Sequence, residues 1–223
     1  GPVRVVEAGG ARGDLLLPAG SRARHAGLAW PLQPAGEGDG VADVAARLAG
    51  GAAVAVPSGA AADRWERRPV HVVAGGALVS AELVAEGRAA VRPGDLTPAC
   101  RATLLALEAE ARRARRGAWA EGGVFWAAGD TGGLRARDGR FTVVEGRVAS
   151  IGEAGGRFYL NFGAIRSETF SVSVARAALR RFEASGMRLT SLEGRRVRVR
   201  GVVLDRRGPA MEIASPDELE RLD

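Results

Sequence analysis

The chain has 223 residues, 46% hydrophobic and 26% charged, a globular balance that excludes wholesale disorder. No apolar run approaches the roughly 18 residues that a bilayer-spanning helix needs. A single cysteine, Cys100, excludes an internal disulfide and any cysteine-based metal cluster. The net charge is +6, and all 32 basic residues are Arg. A bias toward GC-rich codons accounts for this most simply; the sharper reading is use of the guanidinium fork, which suits phosphate. The excess is divided: residues 1–122 carry 15 Arg and 13 acids, residues 123–139 two of each, and residues 140–223 carry 15 Arg and 11 acids. Such a mild positive field is compatible with nucleic acid or an acidic surface and proves neither. Gly1-Pro2 reads as a scar of proteolytic cleavage, so a native leader is expected to have been removed.

In chain order, Val3–Val6, Asp14–Leu17 and Arg22–Leu28 read as strands. Residues 41–48 carry apolar side chains at 41, 44, 45 and 48, which is helical spacing. Ala52–Val56 and Val70–Val73 are short strands, the second ending at the Gly75-Gly76 turn. Leu78–Glu86 is a helix with Gly87 as its C′ residue. Ala99–Arg116 is the clearest helix, with a stripe of Cys100, Leu104, Leu107 and Ala111 and an Arg-rich end that suits the negative pole of its dipole. Residues 123–139 are Gly-rich without a period and read as a linker, with Phe125 and Trp126 docking on a neighbouring domain. Beyond it, Phe141–Ile151 and Arg157–Phe162 form a hairpin around Gly152–Gly156, Phe170–Val174 is a half-buried strand, and Ala175–Ala184 is a helix. Arg196–Leu204 and Met211–Ala214 make a second hairpin, and Ser215–Glu218 is a capping box that opens a short last helix. Three strands, a helix and two strands are the order of an OB barrel. The expected organisation is a domain over 1–122, a linker over 123–139 and an OB-fold domain over 140–223.

Three pieces of the first part, DRWERR at 63–68, GGALVSAELVAEGRAAV at 75–91 and EAEARRARRGAW at 108–119, resemble the staphylococcal nuclease (thermonuclease) family in order and spacing. They match its Asp-x-Tyr-Gly-Arg turn, its strand-then-helix with an Asn/Ser-x-x-Leu-Val core, and its last amphipathic helix ending in Trp. The resemblance implies an α+β, mainly β fold: an OB-type barrel with three helices, followed here by a second OB barrel. It also implies phosphodiester hydrolysis with one Ca²⁺, which needs carboxylate ligands for a hard cation, a Glu to activate water, and two Arg to hold the phosphate.

Carried onto this chain residue by residue, the resemblance places the two phosphate-binding arginines at Arg24 and Arg67. The metal-binding Asp falls on Ala29 and the general-base Glu on Leu32. The upstream metal-binding turn is replaced around 10–14, near Arg12, where only Asp14, after a shift, has the needed chemistry. Ala cannot ligate a cation and Leu cannot take a proton, so the chain reads as a degenerate member with no cofactor and no nuclease activity. Rescue by Glu37, Asp39 or Asp43 would keep a weak metal-dependent phosphodiesterase. Arg24 and Arg67 have a plainer use as partners of Asp63 or Glu66, and Asp63 a plainer use in fixing its own turn. His25 and His71 read as packed or surface residues.

In the second barrel, Phe158, Leu160 and Phe162 are expected inside, which leaves Arg157 and Tyr159 on the other face as a base-stacking platform or, more simply, a wet face. Arg196, Arg198 and Arg200 form a ladder that would neutralise a phosphate backbone or block edge pairing. The resulting expectation is a binding or scaffold protein for nucleic acid or a phosphate-bearing ligand. The alternative is a protein–protein scaffold of the cell envelope, since relatives of this kind are often exported.

Overall fold

The structure, a computed structural model, describes residues 2–5, 7–9, 14–30, 39–49, 53–63, 66–120, 125–164 and 168–223. The chain divides into two compact units, Gly1–Gly123 and Val124–Asp223. Both are mixed α+β with a curled half-barrel sheet.

The first unit opens with β1 (Val3–Arg4), β2 (Glu7–Gly9), β3 (Asp14–Leu16), β4 (Arg22–His25) and β5 (Leu28–Ala29). The single strand expected over Arg22–Leu28 is thus broken in two by a turn at Ala26-Gly27. Helix α1 (Asp39–Leu48) follows, then β6 (Val54–Pro57) and β7 (Arg68–Ala74). A tight turn leads to β8 (Ala77–Leu78), α2 (Val79–Ala85), β9 (Ala90–Val91) and the long α3 (Pro98–Arg113). The sheet runs β1-β6-β7-β4-β3-β2. All of these neighbours pair antiparallel except β4 and β7, which run parallel with His25 opposite Val70. Thr97 caps α3, with Pro98 in its first turn, where a missing N–H costs nothing. Gly87 is the C′ residue of α2, at φ +72°; an ideal Cβ there would stand 2.1 Å from the Arg116 carbonyl oxygen, so the segment that follows α3 passes the end of α2 at backbone contact.

The second unit begins earlier than the expected linker allows. Residues 125–139 hold β10 (Phe125–Ala127), which pairs parallel with β11 (Phe141–Arg147), and α4 (Thr131–Arg135), capped by Asp130. Gly content misleads here because Leu134 and Ala128 are core residues of this unit. Next come β12 (Ser150–Ala154), β13 (Arg157–Asn161), β14 (Ser171–Ala175), a 3-10 turn leading into α5 (Leu179–Ala184), β15 (Arg196–Asp205) and β16 (Pro209–Ile213). The capping box at Ser215 forms as expected, yet it closes a single 3-10 turn and the chain continues as β17 (Leu219–Arg221) beside β15, not as a helix. Leu219 is buried, and pairing with β15 satisfies the backbone that a short helix would have left open. The sheet runs β10-β11-β15-β16-β14-β13-β12, and only Val148-Ala149 separate β11 from β12, so its two arms are joined by one bent strand.

Each unit has its own core. The first packs small side chains such as Ala23, Val70, Val72, Val79 and Val84 around Leu15, Leu83 and Leu104. The second packs Phe170, Phe182, Leu134, Leu160, Met211 and Ile213.

Candidate functional site

Arg24 and Arg67 come together although 42 residues separate them in sequence. Arg24 sits in β4, and Arg67 immediately precedes β7; the parallel β4–β7 pairing, which sets Ala23 opposite Arg68 and Arg24 opposite Pro69, brings both to one place. Both are buried, 9% and 8% exposed.

Their charge is met from within the chain. Arg24 donates through Nη2 to Asp95 Oδ1 at 2.8 Å and through Nη1 to Asp95 Oδ2, a bidentate fork. Its Nε stands 3.5 Å from Asp63 Oδ2 and makes no hydrogen bond. Arg67 donates through Nε to Asp63 Oδ2 at 2.9 Å and through Nη1 to Asp14 Oδ1 at 2.7 Å. Arg22 reaches the other oxygen of Asp14 at 2.6 Å. The result is an alternating chain, Arg22–Asp14–Arg67–Asp63–Arg24–Asp95, with three charges of each sign. Burial alone would lower the Arg67 pKa, and the hydrogen bonds and charges of Asp63 and Asp14 overcome it, so that the net shift is upward and the guanidinium stays charged.

The turn before β7 explains how Arg67 is held. Asp63 Oδ1 accepts from the Arg67 backbone N–H at 3.1 Å, and the backbones of residues 63 and 67 exchange a further bond, Asp63 N–H to Arg67 O at 3.2 Å. Glu66 takes φ +61°, an unusual conformation for a residue with a Cβ. Asp63 therefore both fixes the turn and pairs with the arginines, the plainer of the two roles weighed for each.

Three carboxylates, Asp14, Asp63 and Asp95, thus converge on the two arginines, but guanidinium groups engage all of them. Among the described residues, no group of three or more His, Cys, Asp and Glu is arranged to hold a metal ion. Ala29 is buried in β5 opposite Ala90. Leu32, Glu37 and Arg12 lie outside the described residues, as do the side chains of Asp39 and Asp43 on α1.

The histidines flank this chain of charges in sequence. His25 follows Arg24 and is buried, with neither ring nitrogen hydrogen-bonded, and burial pushes its pKa down to about 4. His71 is lowered by burial, with the charge of Asp95 opposing.

The other two candidates, Arg157 and Tyr159, lie in the second unit on β13, with Tyr159 between Gly152 and Ser173 of the flanking strands. Arg157 is ion-paired with Glu212. The arginine ladder differs from expectation. β15 is flanked by β11, β16 and β17, so it is not an edge, and Arg200 is fully buried and bound to Glu220. Arg198 bridges Glu145 and Glu220, at 2.8 Å to each. The same unit holds a cavity of about 540 Å³ lined by Phe158, Leu179, Phe182, Met187 and Leu189, with Arg188 at its wall.

Two charged residues escaped the sequence reading. Asp95 lies in a Pro-Gly-Asp turn with no local signal of its role. Glu108 is fully buried on α3, accepting from the Val91 N–H and from Arg112. Its position between Leu104 and Ala111 on the helix's apolar stripe was the available signal. Neither a scan against protein-family models nor a search of curated proteins returns a match.

Proposed function

We propose that the chain is a catalytically degenerate thermonuclease-like protein, two OB-type barrels that serve as a binding or scaffold module rather than as a phosphodiesterase. Three observations support the likeness. In each unit the strand pairing is compatible with a Greek-key OB barrel and includes a parallel contact of the kind such a barrel uses, β4–β7 or β14–β16. The residue that the Asp-x-Tyr-Gly-Arg turn gives to Gly is Glu66, and it holds the positive φ that such a Gly adopts. The two arginines that the resemblance pairs on a phosphate do meet.

The observation that carries the loss of catalysis is the Asp14–Arg67–Asp63–Arg24–Asp95 chain. A nuclease needs carboxylates free to grip a cation and guanidinium groups free to grip phosphate. Here each satisfies the other, and Ala29 stands where the resemblance puts a metal ligand. The ion pairs on Arg24, Arg67 and Arg157 favour a protein partner over nucleic acid. The net +4 of residues 140–223 favours nucleic acid as the second reading, through the face that carries Tyr159.

Purified protein incubated with single- and double-stranded DNA and with RNA, in Ca²⁺, Mg²⁺ or Mn²⁺, is expected to release no nucleotide above the blank. Turnover that vanishes in an Arg67→Ala variant would overturn the proposal. Fluorescent single-strand binding across a salt series separates the two partner classes: saturable, salt-sensitive binding lost in Tyr159→Ala restores nucleic acid.

A further inference from the structure

We infer that the cavity at the edge of the second unit's core is a binding site for a small amphiphilic carboxylate of medium chain length, its aliphatic body resting on Phe158, Phe182 and Met187 and its carboxylate on Arg188. The site is built from the second unit alone, so it holds whether or not the first unit hydrolyses phosphodiesters.

The strand pleat sets the apolar floor. Phe158 and Leu160 point to the same side of β13, and Leu160 is fully buried, yet Phe158 is only half-buried. Leu179 of α5 and Met187 are half-buried too and pack on the same core. Phe182 and Leu189 are buried and also line the cavity. Three large apolar side chains thus stop short of burial around one cavity of about 540 Å³, which is the size and lining of a small-molecule pocket.

The polar wall is fixed by the backbone. Gly186 takes φ +80° after α5; its N–H donates to the Glu183 carbonyl at 2.9 Å, and the Met187 N–H donates to the Phe182 carbonyl at 2.9 Å. The 3-10 turn Leu189–Leu192 that follows is anchored by the buried Leu189 and Leu192. Met187 and Arg188 are therefore held between two anchored turns.

Charge selects the head group. From the start of α5 to the end of that turn, Leu179–Leu192, the chain carries three Arg (Arg180, Arg181 and Arg188) and one Glu (Glu183), a net +2. Among the described residues none of these four side chains makes an ion pair, whereas Arg157 and Arg176 of the same unit pair with Glu212 and Glu153. On the lining itself Arg188 offers the guanidinium fork that a carboxylate fits, and Thr190 adds a hydroxyl. Glu183 lines the cavity as well, and the two other arginines of α5 outweigh its charge.

Octanoate titrated into the full chain tests this, read in the methyl NMR signals of the two methionines: Met187 lines the cavity and Met211 is buried in the core. The Met187 signal is expected to move saturably while that of Met211 stays still. By isothermal titration octanoate should bind about ten-fold more tightly than octanol, the scale of one charge-assisted hydrogen bond at an exposed arginine. Butanoate should bind about a hundred-fold more weakly than octanoate, because four methylenes are lost from the apolar contact. Arg188→Ala, at an exposed position, should erase the advantage over octanol. A Met187 signal that stays still, or that moves together with Met211, overturns the proposal. Equal affinity for octanol, a preference for octylamine, or undiminished octanoate binding in Arg188→Ala overturns it too. Sedimentation showing a dimer that Met187→Asp dissociates would give the cavity to a second copy of the chain and overturn it as well.

Discussion

In the first unit β1 pairs with β6 and β2 with β3; in the second β11 pairs with β15 and β12 with β13. Then β3–β4, the parallel β4–β7 and β6–β7 answer to β13–β14, the parallel β14–β16 and β15–β16. A helix stands between the fourth and fifth of these strands in both, α1 in one and α5 in the other. The two units therefore share one scheme of pairing and differ in what fills it. The first buries Asp14, Arg24, His25, Arg67, Ser80 and Glu108 among small aliphatic side chains. The second buries large apolar side chains with Arg137, Thr142 and Arg200. Strand order is thus indifferent to whether the interior is ionic or oily. The ionic interior is the one that carries a candidate site, since stability is more cheaply supplied by apolar packing than by buried ion pairs.

Changes that act in one interior and not in the other sharpen this contrast. The largest effect is expected for Phe170→Ala: this ring is fully buried, packs 5.2 Å from that of Phe162, and its loss should cost about 4 kcal/mol. Hydrogen exchange should show lost protection in β13, β14 and β16; loss confined to the first unit would break the comparison. Glu108→Ala should cost about 3 kcal/mol, because it leaves Arg112 and the Val91 N–H without their buried acceptor. Urea denaturation with exchange protection read at β9 and α3 measures it, and an Ala variant as stable as the wild type would show the carboxylate to be dispensable.

His25 gives the first unit a pH dependence of its own. Its folded pKa is about 4 against an ordinary value of 6.5, so the unfolded chain takes a proton at a higher pH than the native one. The contribution is fully present above pH 6.5 and is lost progressively as the pH falls toward 4, about 3 kcal/mol in all. His25→Leu should flatten that window in denaturation midpoints measured from pH 7 to 4.5; an unchanged slope would assign the pH dependence elsewhere. The smallest effect is expected at the surface of the second unit, where Arg176 pairs with Glu153 in solvent: Arg176→Ala should shift stability by less than about 0.5 kcal/mol. A larger loss would mean that this unit too depends on its ion pairs.

Legibility followed range along the chain. Alternation located β13, β14 and β15 and a short apolar run located β7, each within a residue or two, and the Gly75-Gly76 and Gly155-Gly156 turns marked tight connections, because side-chain pattern and positive φ are local matters. The Gly-rich 123–139 segment misled because composition says nothing of the parallel β10–β11 pairing that orders it. Arg200 misled because an Arg-x-Arg-x-Arg pattern looks solvated until a strand is laid on either side of it.

From residues alone came most of the longer elements, the Gly87 helix end and the Ser215 capping box, and the identity of Arg24 and Arg67 as the pair to watch. Only the folded chain decided what those arginines hold. Asp95 is 71 residues from Arg24 and reaches it after the sheet has curled and the chain has returned through β9. Backbone sterics and alternation act over a few residues, so they are written in the local sequence. A buried charge takes whichever partner the closed sheet delivers, and that is fixed by contacts across the whole unit.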